Sequence, residues 1–117
     1  MDDLTILFAE DEDSIRSVLT TFLEMLGYTV LQAANGAEGL NLLKSTKVAL
    51  VITDINMPVM NGNEFISQLA ALPDPPPVIA LSGDAGEVTP DPVIRAIISK
   101  PVSIHTLKKV VQGVLPV

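Results

Sequence analysis

The sequence predicts an α/β fold, a doubly wound parallel sheet of five strands. Three observations predict it. Short aliphatic runs with β-branched content recur along the chain, and stretches with apolar residues at helical spacing separate them. Turn signals such as Asn35-Gly36 and Asn61-Gly62 mark changes of pattern. The aliphatic runs also lead straight into polar residues, as VITD (51–54) does, which puts chemistry at strand ends.

TILFA (5–9) reads as the first strand, buried on both faces. Ile15, Val18, Leu19, Phe22, Leu23 and Leu26 then recur at helical spacing. Asp13 or Ser14 suits the start of that helix, and Gly27 suits its end. YTVLQA (28–33) is the second strand. Asn35-Gly36 turns the chain into a short helix carrying Ala37, Leu40 and Leu43, and VALVIT (48–53) is the third and most apolar strand. Phe65, Ile66, Leu69 and Leu72 mark the next helix, ended by the Pro-rich PDPPP (73–77). VIALS (78–82) and AIIS (96–99) supply the fourth and fifth strands. Ile104, Leu107, Val110, Val111 and Val114 mark a closing helix with Ser103 as its cap. No internal repeat is visible, and PDPPP is too short for an interdomain linker, so residues 1–117 read as one domain.

Composition narrows the function. The chain has 117 residues, 48% of them hydrophobic and only 3% aromatic, which is enough for one aliphatic core. Fourteen acidic residues against seven basic ones give a formal charge of -7, which argues against nucleic acid as a partner. The absence of cysteine removes disulfides, thiolate catalysis and Cys-ligated zinc. No run approaches the roughly 18 apolar residues of a membrane span, and the start MDD lacks the basic residues of a signal peptide. The expectation is a soluble, cytoplasmic domain with no membrane partner.

Doubly wound sheets bind ligands at the carboxyl ends of their strands. This chain places Glu10, Asp11, Glu12 and Asp13 after the first strand and Asp54 after the third. Ser82-Gly83 follows the fourth strand, and Lys100-Pro101 the fifth. Glu12 and Asp13 suit the positive end of a helix dipole. Glu10, Asp11 and Asp54 require a counter-charge, because two unit charges about 4 Å apart repel by roughly 4 kcal/mol at an effective dielectric near 20. A hard cation such as Mg²⁺ supplies one, since it takes oxygen ligands, and Lys100 supplies another. The combination suits a phosphoryl group: cation and lysine neutralise its oxygens while a carboxylate attacks phosphorus.

ILFAEDED, VITDINMPVMNG, ALSG and ISKP, in this order and at these intervals, resemble the receiver domain of two-component response regulators over essentially the whole chain. The resemblance implies a CheY-like sheet of flavodoxin-like order 2-1-3-4-5. It makes Asp54 the phosphoacceptor, taking its phosphoryl group from a histidine kinase or a phosphotransfer domain. It implies metal ligation by Asp11, Glu10, Asp54 and the backbone carbonyl of Asn56. Ser82 becomes the switch hydroxyl, Lys100 the ion-pair partner of the phosphoryl oxygens, and Lys100-Pro101 a cis peptide. Pro58 and Gly62 shape the adjoining loop. Such a domain assists its own phosphorylation and dephosphorylation rather than turning over a separate substrate. A phosphoryl group carries roughly -1.5 to -2 charges, enough to draw in Ser82 and Lys100 and reset the nearby surface.

The chain departs from that family pattern in three places. Glu10 stands where aspartate is most frequent, keeping the charge on a longer arm. Ile97 occupies the switch position that usually carries Tyr or Phe, so no aromatic flip accompanies Ser82. The segment between Ser82 and Lys100 is short and contains Gly83, Gly86, Pro90 and Pro92, which disfavour a helix. The helix between the fourth and fifth strands is therefore predicted to be short, displaced or missing.

Other readings fit less of the sequence. A receiver-like interaction module that signals without phosphorylation shares every feature and is the main alternative. A haloacid-dehalogenase-type phosphatase needs D-x-D after the first strand, whereas Asp54-Ile55-Asn56 follows the third. A flavodoxin-like cofactor carrier needs a hydroxyl- and glycine-rich phosphate cradle where EDED stands. His105, the one histidine, lies on the closing helix and suits the surface, while Met25, Met57, Met60 and Tyr28 suit packing or surface.

Overall fold

Side chains of a strand alternate between the two faces of its sheet, so continuous apolar runs need cover on both sides. In the computed structural model, which describes residues 4–115, helices provide that cover. The order is β1 (Thr5–Ala9), α1 (Asp13–Met25), β2 (Thr29–Ala33), α2 (Gly36–Leu43), β3 (Leu50–Asp54), α3 (Gly62–Ala70), β4 (Val78–Ser82), β5 (Ile94–Ser99) and α4 (Ile104–Val114). All neighbouring strands are parallel, in the order β2-β1-β3-β4-β5, as the resemblance implied. The acidic start considered for a targeting signal lies outside the described residues. Among the described residues no helix is long and apolar enough to cross a membrane.

Two apolar layers sandwich the sheet. Leu7 and Ala9 of β1 point toward α3, meeting Phe65, Ile66 and Leu69 together with Val51, Val78 and Ala80. Ile6 and Phe8 point the other way, toward Leu19 and Leu23 of α1 and Leu107 and Val111 of α4. Phe8 and Phe65 are fully buried on opposite faces. Truncating either to alanine costs about 3–5 kcal/mol in a core of this kind.

Element edges differ from expectation in a few places. α1 begins at Asp13 after Glu12, and no side chain caps it. Asp13 is instead drawn to Arg16 (2.6 Å), and the free Glu12 N–H donates to the Glu10 carboxylate at 3.2 Å. Gly27 does end the helix, at φ +102°, a region costly for any side chain. β3 starts two residues later than expected and takes in Asp54, while Leu72 falls beyond α3 and is exposed. β5 is longer than AIIS, running from Ile94. Its register against β4 jumps from Val78↔Ile94 to Ile79↔Ala96, so Arg95 is an extra residue. That bulge turns Ile94 toward the α3 layer and Ala96 and Ile98 toward the α1–α4 layer.

Between β4 and β5 the helix predicted to be short, displaced or missing is indeed reduced. A single 3-10 turn, Ala85–Glu87, replaces it. Val88 from this segment is buried in the α3 layer. Ile97, on the face left open, is 43% exposed.

Candidate functional site

The parallel register delivers the site. Ala9 pairs with Ala33 and with Thr53, so Glu10 emerges from β1 beside the end of β3. Asp54 pairs with Leu81 and Ser82 with Ser99, which carries Asp54, Ser82 and Lys100 to one edge. Lys100 N–H donates to the Ser82 carbonyl at 2.9 Å, fixing where its side chain starts. The Lys100-Pro101 bond is cis, as the resemblance implied.

Asp54 is buried and held from two sides. Its Oδ1 accepts from the N–H groups of Ile55 (2.7 Å) and Asn56 (3.3 Å), and its Oδ2 accepts from Lys100 Nζ (2.7 Å). Glu10 is fully buried. Its backbone is fixed by Ala33 O and by the Arg16 guanidinium, which donates to the Glu10 carbonyl at 2.7 Å. Lys100 Nζ lies 3.6 Å from Glu10 Oε1, and that oxygen has no hydrogen bond. Asp11 is exposed, yet one oxygen from each of Glu10, Asp11 and Asp54 lies within 4.8 Å of the others.

The electrostatics follow. Burial, with the Asp54 charge adding to it, pushes the Glu10 carboxyl from about 4.5 up to about 7 against the opposing Glu12 N–H. Burial pulls the Lys100 ammonium down, but its bond to Asp54 and the pull of both carboxylates outweigh this and hold it above its ordinary value. A buried carboxylate oxygen without a partner, inside a cluster of three oxygen donors, fits a hard divalent cation.

Two residues of the neighbourhood were not anticipated. Ser82 Oγ lies 2.6 Å from Glu87 Oε1 and 2.6 Å from the Asp84 carbonyl, two acceptors for one proton. The same Glu87 carboxylate accepts from Asn56 Nδ2 at 3.2 and 3.3 Å. The Ser82 hydroxyl, then the Asn56 amide, hold the Glu87 carboxyl below its usual range. Asn63, at the start of α3, donates to the Glu87 carbonyl (2.8 Å) and accepts from Thr89 N–H (2.9 Å). No sequence signal marks Glu87 or Asn63, because their partners lie far off in the chain or in an irregular segment.

The loop after Asp54 is tight. Gly62 N–H donates to Ile55 O at 2.8 Å, and a Cβ on Gly62 would overlap the Asp54 carbonyl oxygen. Pro58 O accepts from Met60 N–H at 2.7 Å across Val59, whose φ is +68°. That is a γ-turn of the strained hand. Pro58 O and Gly62 N–H are thus both tied by backbone hydrogen bonds within this loop, while Ile97 stands exposed on β5.

A 2-1-3-4-5 parallel sheet that gathers three carboxylates and a lysine at its carboxyl edge has the build of a signal-receiver domain. The chain belongs to the response regulator receiver domain family, which residues 6–112 match. It is accordingly a phosphoacceptor domain of two-component signalling. It is similar to the autoinducer 1 sensor kinase/phosphatase LuxN of Vibrio campbellii, 32% identical over 91% of this chain and 13% of that protein. It is also similar to the sensor histidine kinase RcsC of Salmonella typhimurium, 30% identical over 92% of this chain and 12% of that protein. The chain therefore spans about an eighth of the length of these relatives. Among solved structures, the signal receiver domain of an HD domain-containing protein from Pseudomonas fluorescens superposes with a TM-score of 0.89, at 25% identity, covering 97% of this chain and 95% of that one. Response regulator TrrA of Thermotoga maritima, solved with Mg²⁺ and BeF, gives 0.84 at 28% identity, covering 95% and 98%.

Proposed function

We propose that Asp54 accepts a phosphoryl group from the phosphohistidine of a histidine kinase or phosphotransfer domain. A carboxylate oxygen of Asp54 forms the new bond to phosphorus, the phosphorus–nitrogen bond breaks, and its electron pair leaves with the imidazole. Hydrolysis of the resulting acyl phosphate returns the carboxylate and inorganic phosphate. The observation that carries this reading is the convergence of Glu10, Asp11 and Lys100 on buried Asp54.

Each group has a role. The Ile55 and Asn56 N–H groups fix one Asp54 oxygen and so orient the carboxylate. Lys100 faces the other and pairs with the phosphoryl oxygens as charge builds there. Glu10, Asp11, Asp54 and the Asn56 carbonyl would hold Mg²⁺, which when bound neutralises phosphoryl oxygens. Ser82 supplies the hydroxyl that the phosphoryl group recruits. An open groove of about 410 Å³ beside Lys100, lined by Ile15, Val18 and Ile104, gives the donor an apolar surface next to the site. The full set of groups favours this over an interaction module that signals without phosphorylation.

Intact-protein mass after incubation with Mg²⁺ and a small phosphoramidate tests it. One added phosphoryl group is expected, lost in Asp54→Asn and suppressed by EDTA. An unmodified mass, or a modification that survives Asp54→Asn, removes the proposal.

A further inference from the structure

We propose that Glu87 is the positioning residue of the resting state, holding the Ser82 hydroxyl until a phosphoryl group on Asp54 displaces it. This rests on Asp54 being the phosphoacceptor.

Ser82 has a single proton, and Glu87 Oε1 lies at 2.6 Å, within the range of a charge-assisted bond. A phosphoryl oxygen is an acceptor of the same kind and sign. Ser82 cannot serve Glu87 and a phosphoryl group with one proton, so the two states exclude one another. Like charge adds to the competition, because a phosphoryl group brings further negative charge toward a carboxylate.

The consequence reaches the surface through a short chain of contacts. Glu87 also holds the Asn56 side chain, and its backbone is tied to α3 by Asn63. The 3-10 turn Ala85–Glu87 has Gly83 and Gly86 around it and no helix to stiffen it. When Glu87 lets go, the segment 84–89 loses the bonds of the Glu87 carboxylate to Ser82 and Asn56 and keeps its ties to Asn63 and the internal Gly86 N–H bond to Asp84. With Ile97 in place of an aromatic, this exchange of partners at Ser82 carries the rearrangement that β5 does not.

The test is titration with beryllofluoride and Mg²⁺, followed by ¹⁹F and amide NMR. In the unmodified chain the amides of 84–89 and the Asn63 side chain are expected to shift on binding. Glu87→Ala is expected to tighten apparent beryllofluoride affinity by about tenfold. Glu87→Gln, which keeps size and loses charge, should fall between and carries the same test if the alanine variant does not fold. In a Ser82→Ala background the gain from substituting Glu87 should shrink to the like-charge share alone, a dependence on the hydroxyl that a merely structural role would not produce. Equal affinities with and without Glu87, or the same gain in the Ser82→Ala background, overturn the proposal while leaving Asp54 as acceptor. Absence of any bound fluoride signal in the unmodified chain removes both readings.

Discussion

Lys100 Nζ sits 2.7 Å from Asp54 Oδ2 and 3.6 Å from Glu10 Oε1, so one cation serves two buried carboxylates. Removing one partner of a buried pair costs about 3–5 kcal/mol, and water screening lowers that when the pair is partly exposed. The Lys100 side chain is 29% exposed. Lys100→Met is therefore expected to lower the free energy of unfolding by about 1–2 kcal/mol in EDTA. Added Mg²⁺ should recover part of the loss, because a cation answers the same carboxylates. Urea denaturation with and without Mg²⁺ measures both effects, and unchanged metal-free stability would contradict the shared-cation arrangement.

The raised carboxyl of Glu10 gives a pH signature. Its group moves from about 4.5 in the unfolded chain to about 7 in the folded one. The folded state binds the extra proton between those values, so its relative stability is intact below about 4.5 and falls as pH rises through about 7. In EDTA, the native chain should lose stability relative to Glu10→Gln across this window. Saturating Mg²⁺ should flatten the difference, since a bound cation favours the charged carboxylate. A difference between the two proteins that is constant from pH 4.5 to 8 speaks against a buried, proton-binding Glu10.

Gly62 and Gly83 make a matched pair. A Cβ at Gly62 overlaps the Asp54 carbonyl oxygen and crowds Ile55 Cα, both backbone atoms that cannot step aside. A Cβ at Gly83 meets nothing within 4 Å. Gly62→Ala is expected to cost about 2–4 kcal/mol and to slow phosphorylation, because the displaced backbone carries Asp54. Gly83→Ala should stay within about 0.5 kcal/mol. Thermal melts and phosphorylation rates compare them, and equal effects would mean that the loop relaxes freely.

What the sequence revealed and what it hid have physical causes. Asp54, Glu10 and Lys100 were legible because parallel strands deliver their ends to one edge whatever the exact register. The missing helix was legible because Gly83, Gly86, Pro90 and Pro92 remove helical options locally. Glu87 was not, since its bond to Asn56 spans 31 positions and its bond to Ser82 depends on a turn. The α1 cap was misplaced because Arg16 competes for Asp13 while Glu10 supplies the anion at that helix start. The bulge at Arg95 escaped because it becomes visible only where β5 meets β4.

Val59 offers the last test, on strain beside the site. Its φ of +68° is a genuine outlier for a β-branched residue, and the Pro58–Met60 bond across it completes a γ-turn. Met60 O is itself taken by Gly36 N–H at 3.1 Å, so the turn is pinned to the start of α2 and cannot relax alone. Such backbone strain costs about 1–3 kcal/mol. The Val59 side chain is 83% exposed, so removing it forfeits almost no packing. Glycine adopts this conformation without a clash, although its freer unfolded chain returns about 0.4–1 kcal/mol of the gain. Val59→Gly is therefore expected to raise stability by about 1 kcal/mol, and Val59→Asn, which tolerates positive φ, by a similar amount. Denaturant midpoints at constant slope measure the gain. A fall in stability for both variants would show that Val59 makes contacts worth more than its backbone strain.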